Sequence, residues 1–112
     1  MSQEKNKWIA PTPEPPYYAV IFSSVQSDTI EGYDAMAERM EQLAKDQKGF
    51  LGMESARQEL GITVSYWESL EAIKLWKYNS AHSVARERGK NEWYKAFKVR
   101  ICKVEKDYDF EN

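Results

Sequence analysis

An α+β domain of β-α-β-β-α-β order is what this sequence predicts, and three observations carry the prediction. Segments rich in aromatic and β-branched residues read as strands at residues 17–25, 50–58, 62–68 and 94–106. Apolar residues at helical spacing fill the intervals after the first and third of these segments. The prolines, Pro11, Pro13, Pro15 and Pro16, all precede the first strand and leave the rest of the chain free to build regular structure.

Taken in order, residues 1–16 read as an arm, because proline favours extended backbone and excludes a helix or an interior strand. Trp8 and Ile9 give the arm apolar weight to pin itself to the body or to a partner chain. In "YYAVIFSSV" both alternating sets are apolar, Tyr17, Ala19, Ile21 and Val25 against Tyr18, Val20 and Phe22, as in a strand covered on both faces. Asp28 stands three residues before Glu31 in a capping-box-like start, and Tyr33, Met36, Ala37, Met40, Leu43 and Ala44 then recur at helical spacing until Gly49. Residues 50–68 read as a hairpin turning at Leu60-Gly61. Ser69 caps a second helix opening "LEAIKLW", with Leu70, Ile73 and Trp76 facing inward. Asn79 and Ser80 interrupt it, and Ser80 caps a further segment, "AHSVARER", whose apolar stripe is Ala81, Val84 and Ala85 and which stops at Gly89. The last strand follows, and residues 109–112 are a tail.

This order is the split arrangement of ferredoxin-like folds, an antiparallel sheet with its helices on one face. Residues 17–108 then form one domain, as expected for a chain of 112 residues. The strands are apolar on both faces, so a single copy would expose a larger apolar patch than monomers usually carry. Association of two sheets into a dimeric α/β barrel, a homodimer, is therefore expected.

Composition narrows the function. A net charge of -2 argues against general attraction to nucleic acid. The N-terminus lacks the apolar core of a signal peptide and no stretch is long enough to span a membrane, so a cytoplasmic address is the default and no membrane partner is expected. Cys102 is alone and reads as a small buried hydrophobe. There is no glycine-rich phosphate loop, no paired histidines at helical spacing and no serine-histidine-acid set. Neither a metal site nor a cofactor is expected.

From Tyr17 to Tyr108 the sequence resembles the antibiotic biosynthesis monooxygenase (ABM) domain proteins, and specifically their uncharacterised bacterial branch. The resemblance rests on "SYWESLEAIKLW" and on "NSAHSVARERGKNEWYKAFKVRICKVEKDY". It implies a dimeric ferredoxin-like barrel with a ligand cavity between helices and sheet. Some members oxidise phenolic polyketides to quinones without a cofactor, using the substrate's own electrons to activate oxygen; others degrade haem; many have no established activity. The haem-degrading members place an asparagine on the first strand, a tryptophan on the helix and an iron-ligating histidine about ten residues beyond it. Trp76 matches the tryptophan, but Arg86 falls at the histidine position and Ser23 and Ser24 stand where the asparagine would be sought. Arginine has no lone pair for iron.

The expected function is therefore a cofactor-independent monooxygenase acting on a small aromatic or electron-rich substrate. The alternative is a non-catalytic small-molecule binding or interaction module; haem degradation ranks below both. His82 titrates near neutral pH and sits on the border of its helix, suited either to proton transfer or to a plain surface role. Asn79 is either an orienting group or a helix cap. With Trp76 they make up the candidate catalytic set. Tyr66, Trp67, Arg86 and Trp93 make up the candidate substrate-binding set: aromatic walls for a planar ligand, and a cation for an anionic group. Core packing for the rings and a favourable helix-end position for Arg86, Arg88 and Lys90 are the competing readings.

Overall fold

The computed structural model describes residues 7–112; residues 1–6 of the expected arm lie outside the described residues. The elements follow the expected order: β1 (Tyr17–Gln26), α1 (Tyr33–Lys45), β2 (Phe50–Arg57), β3 (Gly61–Trp67), α2 (Leu70–Lys77), α3 (Ser80–Arg88), a π-helical turn (Gly89–Trp93) and β4 (Tyr94–Val104). The strands form one antiparallel sheet in the order β2-β3-β1-β4, the ferredoxin-like arrangement.

Cross-strand register sorts the side chains by face. Tyr18 pairs with Trp67, Val20 with Ser65 and Ile101, and Phe22 with Val99. Trp67 packs with Ala72 and Ile73 of α2, and Tyr18, Val20, Phe50 and Trp76 close around it, so this is the helix-covered face and it holds the core. Trp67 is fully buried, its indole N–H donating to Ser65 Oγ at 2.9 Å. The other face carries Tyr17, Ala19, Ile21, Val64 and Tyr66.

That other face is partly covered by the chain's own arm. Gly52 leaves room for it, since a Cβ there would sit 2.8 Å from the Ala10 Cβ. The Ala10 N–H donates to Glu54 Oε2 at 2.8 Å, Thr12 Oγ1 donates to the Tyr17 hydroxyl at 2.9 Å, and that hydroxyl donates to Asp107. The arm thus pins itself to the body, and the Tyr17 hydroxyl joins it to the segment following β4.

Several local expectations are corrected. Asp28 caps nothing: α1 begins at Tyr33 after Gly32, whose φ of 82° is the left-handed conformation glycine tolerates, with no side-chain cap. The reason is tertiary, because Ser27 is held to the π-helical turn by its N–H to the Trp93 carbonyl (2.7 Å) and its hydroxyl to the Glu92 carbonyl. α1 also ends at Lys45, short of Gly49. The hairpin turns through residues 58–60, with Arg57 opposite Gly61. Asn79 caps α3 in place of Ser80, and the chain runs on through the π-helical turn where a stop at Gly89 was expected. Leu70 and Val84, assigned inward, are exposed; α2 buries Ile73, as expected, together with Ala72. Cys102 is exposed, because it lies on the edge strand β4 and pairs with Ala19 on the face opposite the helices.

Among the described residues, no helix is long and apolar enough to cross a membrane.

Candidate functional site

The site grows from the break between α2 and α3. Ser69 starts α2 by accepting the Ala72 N–H at 3.0 Å, and about two helical turns later Trp76 lies over Trp67, their rings 6.2 Å apart and tilted by 27°. Asn79, in extended conformation, then restarts the chain: its Oδ1 accepts the N–H groups of Ala81 (3.0 Å) and His82 (3.2 Å). The restart folds His82 back onto Trp76, with centroids 4.4 Å apart and planes within 9°. Three flat rings, Trp67, Trp76 and His82, therefore lie in series from the core outward.

His82 Nδ1 is 3.0 Å from the Trp76 carbonyl oxygen. A carbonyl only accepts, so Nδ1 carries the proton and, in the neutral ring, the lone pair is on Nε2. Burial lowers the His82 pKa from its ordinary 6.5, the bond to the Trp76 carbonyl opposes that shift, and the nearby Arg86 cation adds to it. At neutral pH the imidazole is a free base with a fixed tautomer.

Arg86 lies one turn after His82. Its Nη2 donates to the Lys77 carbonyl (3.2 Å) and Ser83 Oγ (3.4 Å), tying α3 to the end of α2, while Nε is buried without an acceptor. Trp76, Trp67, His82, Asn79 and Arg86 are thus brought together.

Two candidates are not. Tyr66 follows the strand alternation to the opposite face, where its hydroxyl donates to Glu54 Oε1 at 2.7 Å and its ring meets Tyr17 edge-on at 5.9 Å. Burial and Glu54 raise its pKa above the ordinary 10. Trp93 is buried beneath the start of α1, donating from its indole to the Glu31 carbonyl at 3.0 Å and contacting Tyr33 and Arg88. A shallow depression of about 200 Å³ lined by Ser23, Ser24, Val25, Leu60, Ala96, Phe97 and Lys98 touches none of the candidate residues. Among the described residues, no group of three or more His, Cys, Asp or Glu side chains is arranged to hold a metal ion.

Sequence reasoning missed Phe50 and Tyr18, which pack against the Trp67 core, and the contact of Arg57 with Ser24, Tyr33 and Gly61. The signal for Phe50 and Tyr18 was their position opposite Trp67 in neighbouring strands; Arg57 carried no local signal.

The arrangement has relatives. The chain is 51% identical over 106 residues to the uncharacterized protein YqjZ of Bacillus subtilis (strain 168), covering 93% of both chains. Its fold is similar to that of SnoaB, a cofactor-independent oxygenase from Streptomyces nogalater, with a TM-score of 0.71, 7% identity and coverage of 83% of this chain and 97% of that one. It is also similar to Rv0793 from Mycobacterium tuberculosis, with a TM-score of 0.74, 11% identity and coverage of 83% and 99%. At such identities the structural likeness speaks for the fold alone. Residues 16–88, which contain the sheet's first three strands and the whole ring series, match the family described as Antibiotic biosynthesis monooxygenase, and to that family the chain belongs.

Proposed function

We propose that this protein is a cofactor-independent monooxygenase of the ABM type, acting on a small aromatic or electron-rich substrate. The observation that carries the reading is the His82 imidazole, stacked on Trp76 with Nδ1–H held by the Trp76 carbonyl and the Nε2 lone pair available. A base in this state removes a proton from a phenol or an activated ring carbon. The resulting anion is rich enough to reduce oxygen itself: O2 takes four electrons, all from the substrate, one oxygen atom entering the product as a quinone carbonyl and the other leaving as water with the two hydrogens the substrate loses. Trp76 and Trp67 back the imidazole in a stack of rings, and Arg86 adds positive charge beside the developing anion.

Oxygen uptake with a hydroxylated anthrone or naphthol, without added flavin or metal, tests this. Uptake that falls sharply in His82→Ala is expected. No uptake above the enzyme-free rate, or uptake unchanged in the variant, would overturn it; thermal stabilisation by such compounds without uptake would make the protein a binding module.

The same reading includes a homodimer. On the face opposite the helices, Val25 is 40% and Ile62 39% exposed, beside Ile21 and Val64. β4, an edge strand, adds Phe97, Val99 and Ile101 on the helix-side face, where they remain 40–53% exposed. Apolar area left exposed on both faces of the sheet suits a second copy. Sedimentation at twice the chain mass is expected, and a lone chain at micromolar concentration would refute it.

A further inference from the structure

A separate constellation occupies the end of the helix-covered face remote from His82. Arg57 ends β2 and pairs with Gly61 at the start of β3, six residues from Trp67, or roughly 20 Å along the strand. Its guanidinium lies across Gly61, where any Cβ would overlap the guanidinium carbon, and under the Tyr33 ring, 5.9 Å from its centroid. One edge is tied to β1, with Nη1 donating to the Ser24 carbonyl at 3.4 Å and Nη2 to the Ser24 hydroxyl. Ser24 is itself 1% exposed, so the tether is buried.

A guanidinium has five N–H donors, and Ser24 takes two of them. The remaining edge, Nε–H with its neighbouring Nη–H, is the fork that matches a carboxylate. Arg57 is partly exposed, and among the described residues its hydrogen bonds go to Ser24. The ion pairs of the described residues join Lys45 to Glu41, Arg88 to Glu92 and Lys90 to Glu87, and none involves Arg57. A partly buried, tethered cation facing no carboxylate is an unfavourable arrangement that an anion relieves.

The walls around it are aromatic. Tyr94 meets Tyr33, Phe22 and Phe97 at centroid distances of 5.8, 5.3 and 5.8 Å, and Phe97 remains 40% exposed at the rim. The Tyr94 hydroxyl donates to that of Tyr33 at 3.4 Å, leaving the Tyr33 proton for another acceptor.

We propose that Arg57 anchors a second ligand site, distinct from the His82 series, which takes the carboxylate of a small aromatic acid on its free fork and the ring against Phe22, Tyr94 and Phe97. Naphthoate and its neutral counterpart naphthylmethanol are the probes, followed by the Arg57 Nε–H resonance in the intact protein and by calorimetry. The expected result is a shift of that resonance with naphthoate, at least tenfold weaker binding of the alcohol, and at least tenfold weaker naphthoate binding in Arg57→Lys, which keeps the charge but loses the fork. His82→Ala should leave naphthoate binding unchanged, which separates this site from the proposed oxygenase site. Equal affinity for acid and alcohol, or a titration that moves His82 and not Arg57, would overturn the proposal; the resonance on the unsubstituted protein decides even where the variant does not fold.

Discussion

Trp76 holds His82 twice, by ring stacking at 4.4 Å and by its own carbonyl at 3.0 Å from Nδ1. In an unbroken helix, residues six apart lie about 240° apart around the axis and do not meet. The contact exists because Asn79 stops α2 and starts α3 in a new direction. The break in the helix is thus what converts an ordinary histidine into an oriented one.

Removing the imidazole while keeping the fold should expose its chemical share. His82→Ala is expected to lower kcat/KM for a phenolic substrate by roughly 10²–10⁴-fold, the range of general base catalysis. An oxygen electrode and the far-UV spectrum of the same preparation measure rate and fold together. A loss below threefold would remove His82 from proton transfer.

Asn79→Ala should act through orientation. The cap supplies acceptors for the Ala81 and His82 N–H groups, so its loss is expected to cost about 1 kcal/mol of stability. The rate should fall with it, because the α3 start that aims His82 frays. Asn79→Asp keeps the acceptor and should restore both. Recovery of stability without recovery of rate would show that the amide itself contributes to turnover.

The lowered His82 pKa also makes a statement about acid stability. Burial disfavours the charged ring, so in the pH range just below the ordinary 6.5 the unfolded chain binds a proton that the folded chain does not. Stability from this group is complete above pH 6.5 and is lost as pH falls from there towards the folded-state pKa. Urea midpoints at pH 7.5 and pH 5.5 should therefore differ more in the wild type than in His82→Gln. An equal pH response in the two proteins would contradict the assignment.

Strand positions were legible because both the aromatic content and the alternation survive in β1, β3 and β4. The same alternation separates Tyr66 from Trp67, so a site holding both was at odds with the pattern of its own strand. Ser69 worked as a cap because its acceptor is local, whereas Asp28 failed because Ser27 is claimed by a turn 65 residues away. The His82–Trp76 stack was half legible: Asn79 announced the break, but the direction of the restarted helix is set by packing. Arg57 could not be seen at all, since its neighbours Ser24, Tyr33 and Gly61 converge only in the folded sheet.

Gly52 offers a direct handle on the arm. Gly52→Val puts side-chain carbons where Ala10 now lies, 2.8 Å from the first of them. The arm must lift, losing the Ala10 bond to Glu54 and the Thr12 bond to Tyr17, at an expected cost of about 1–3 kcal/mol. Limited proteolysis should then cut ahead of Tyr17 much faster than in the wild type. Unchanged cleavage would mean that the arm does not rest on β2 in solution.

Tyr66→Phe tests whether the two faces of the sheet are functionally separate. The phenol donates to Glu54 beneath the arm and lies on the far side of the sheet from the Trp67, Trp76 and His82 rings. Its removal should cost roughly 1.5–3 kcal/mol, the worth of a hydrogen bond to a carboxylate, and leave oxygen uptake within twofold of wild type. Burial and Glu54 hold the folded-state pKa above the ordinary 10, so the stability this proton confers is complete below pH 10 and is lost as pH rises beyond it. The variant should accordingly lose less stability between pH 9 and pH 11 than the wild type. A large fall in turnover with stability intact would instead return Tyr66 to the substrate site and require the ligand to reach both faces.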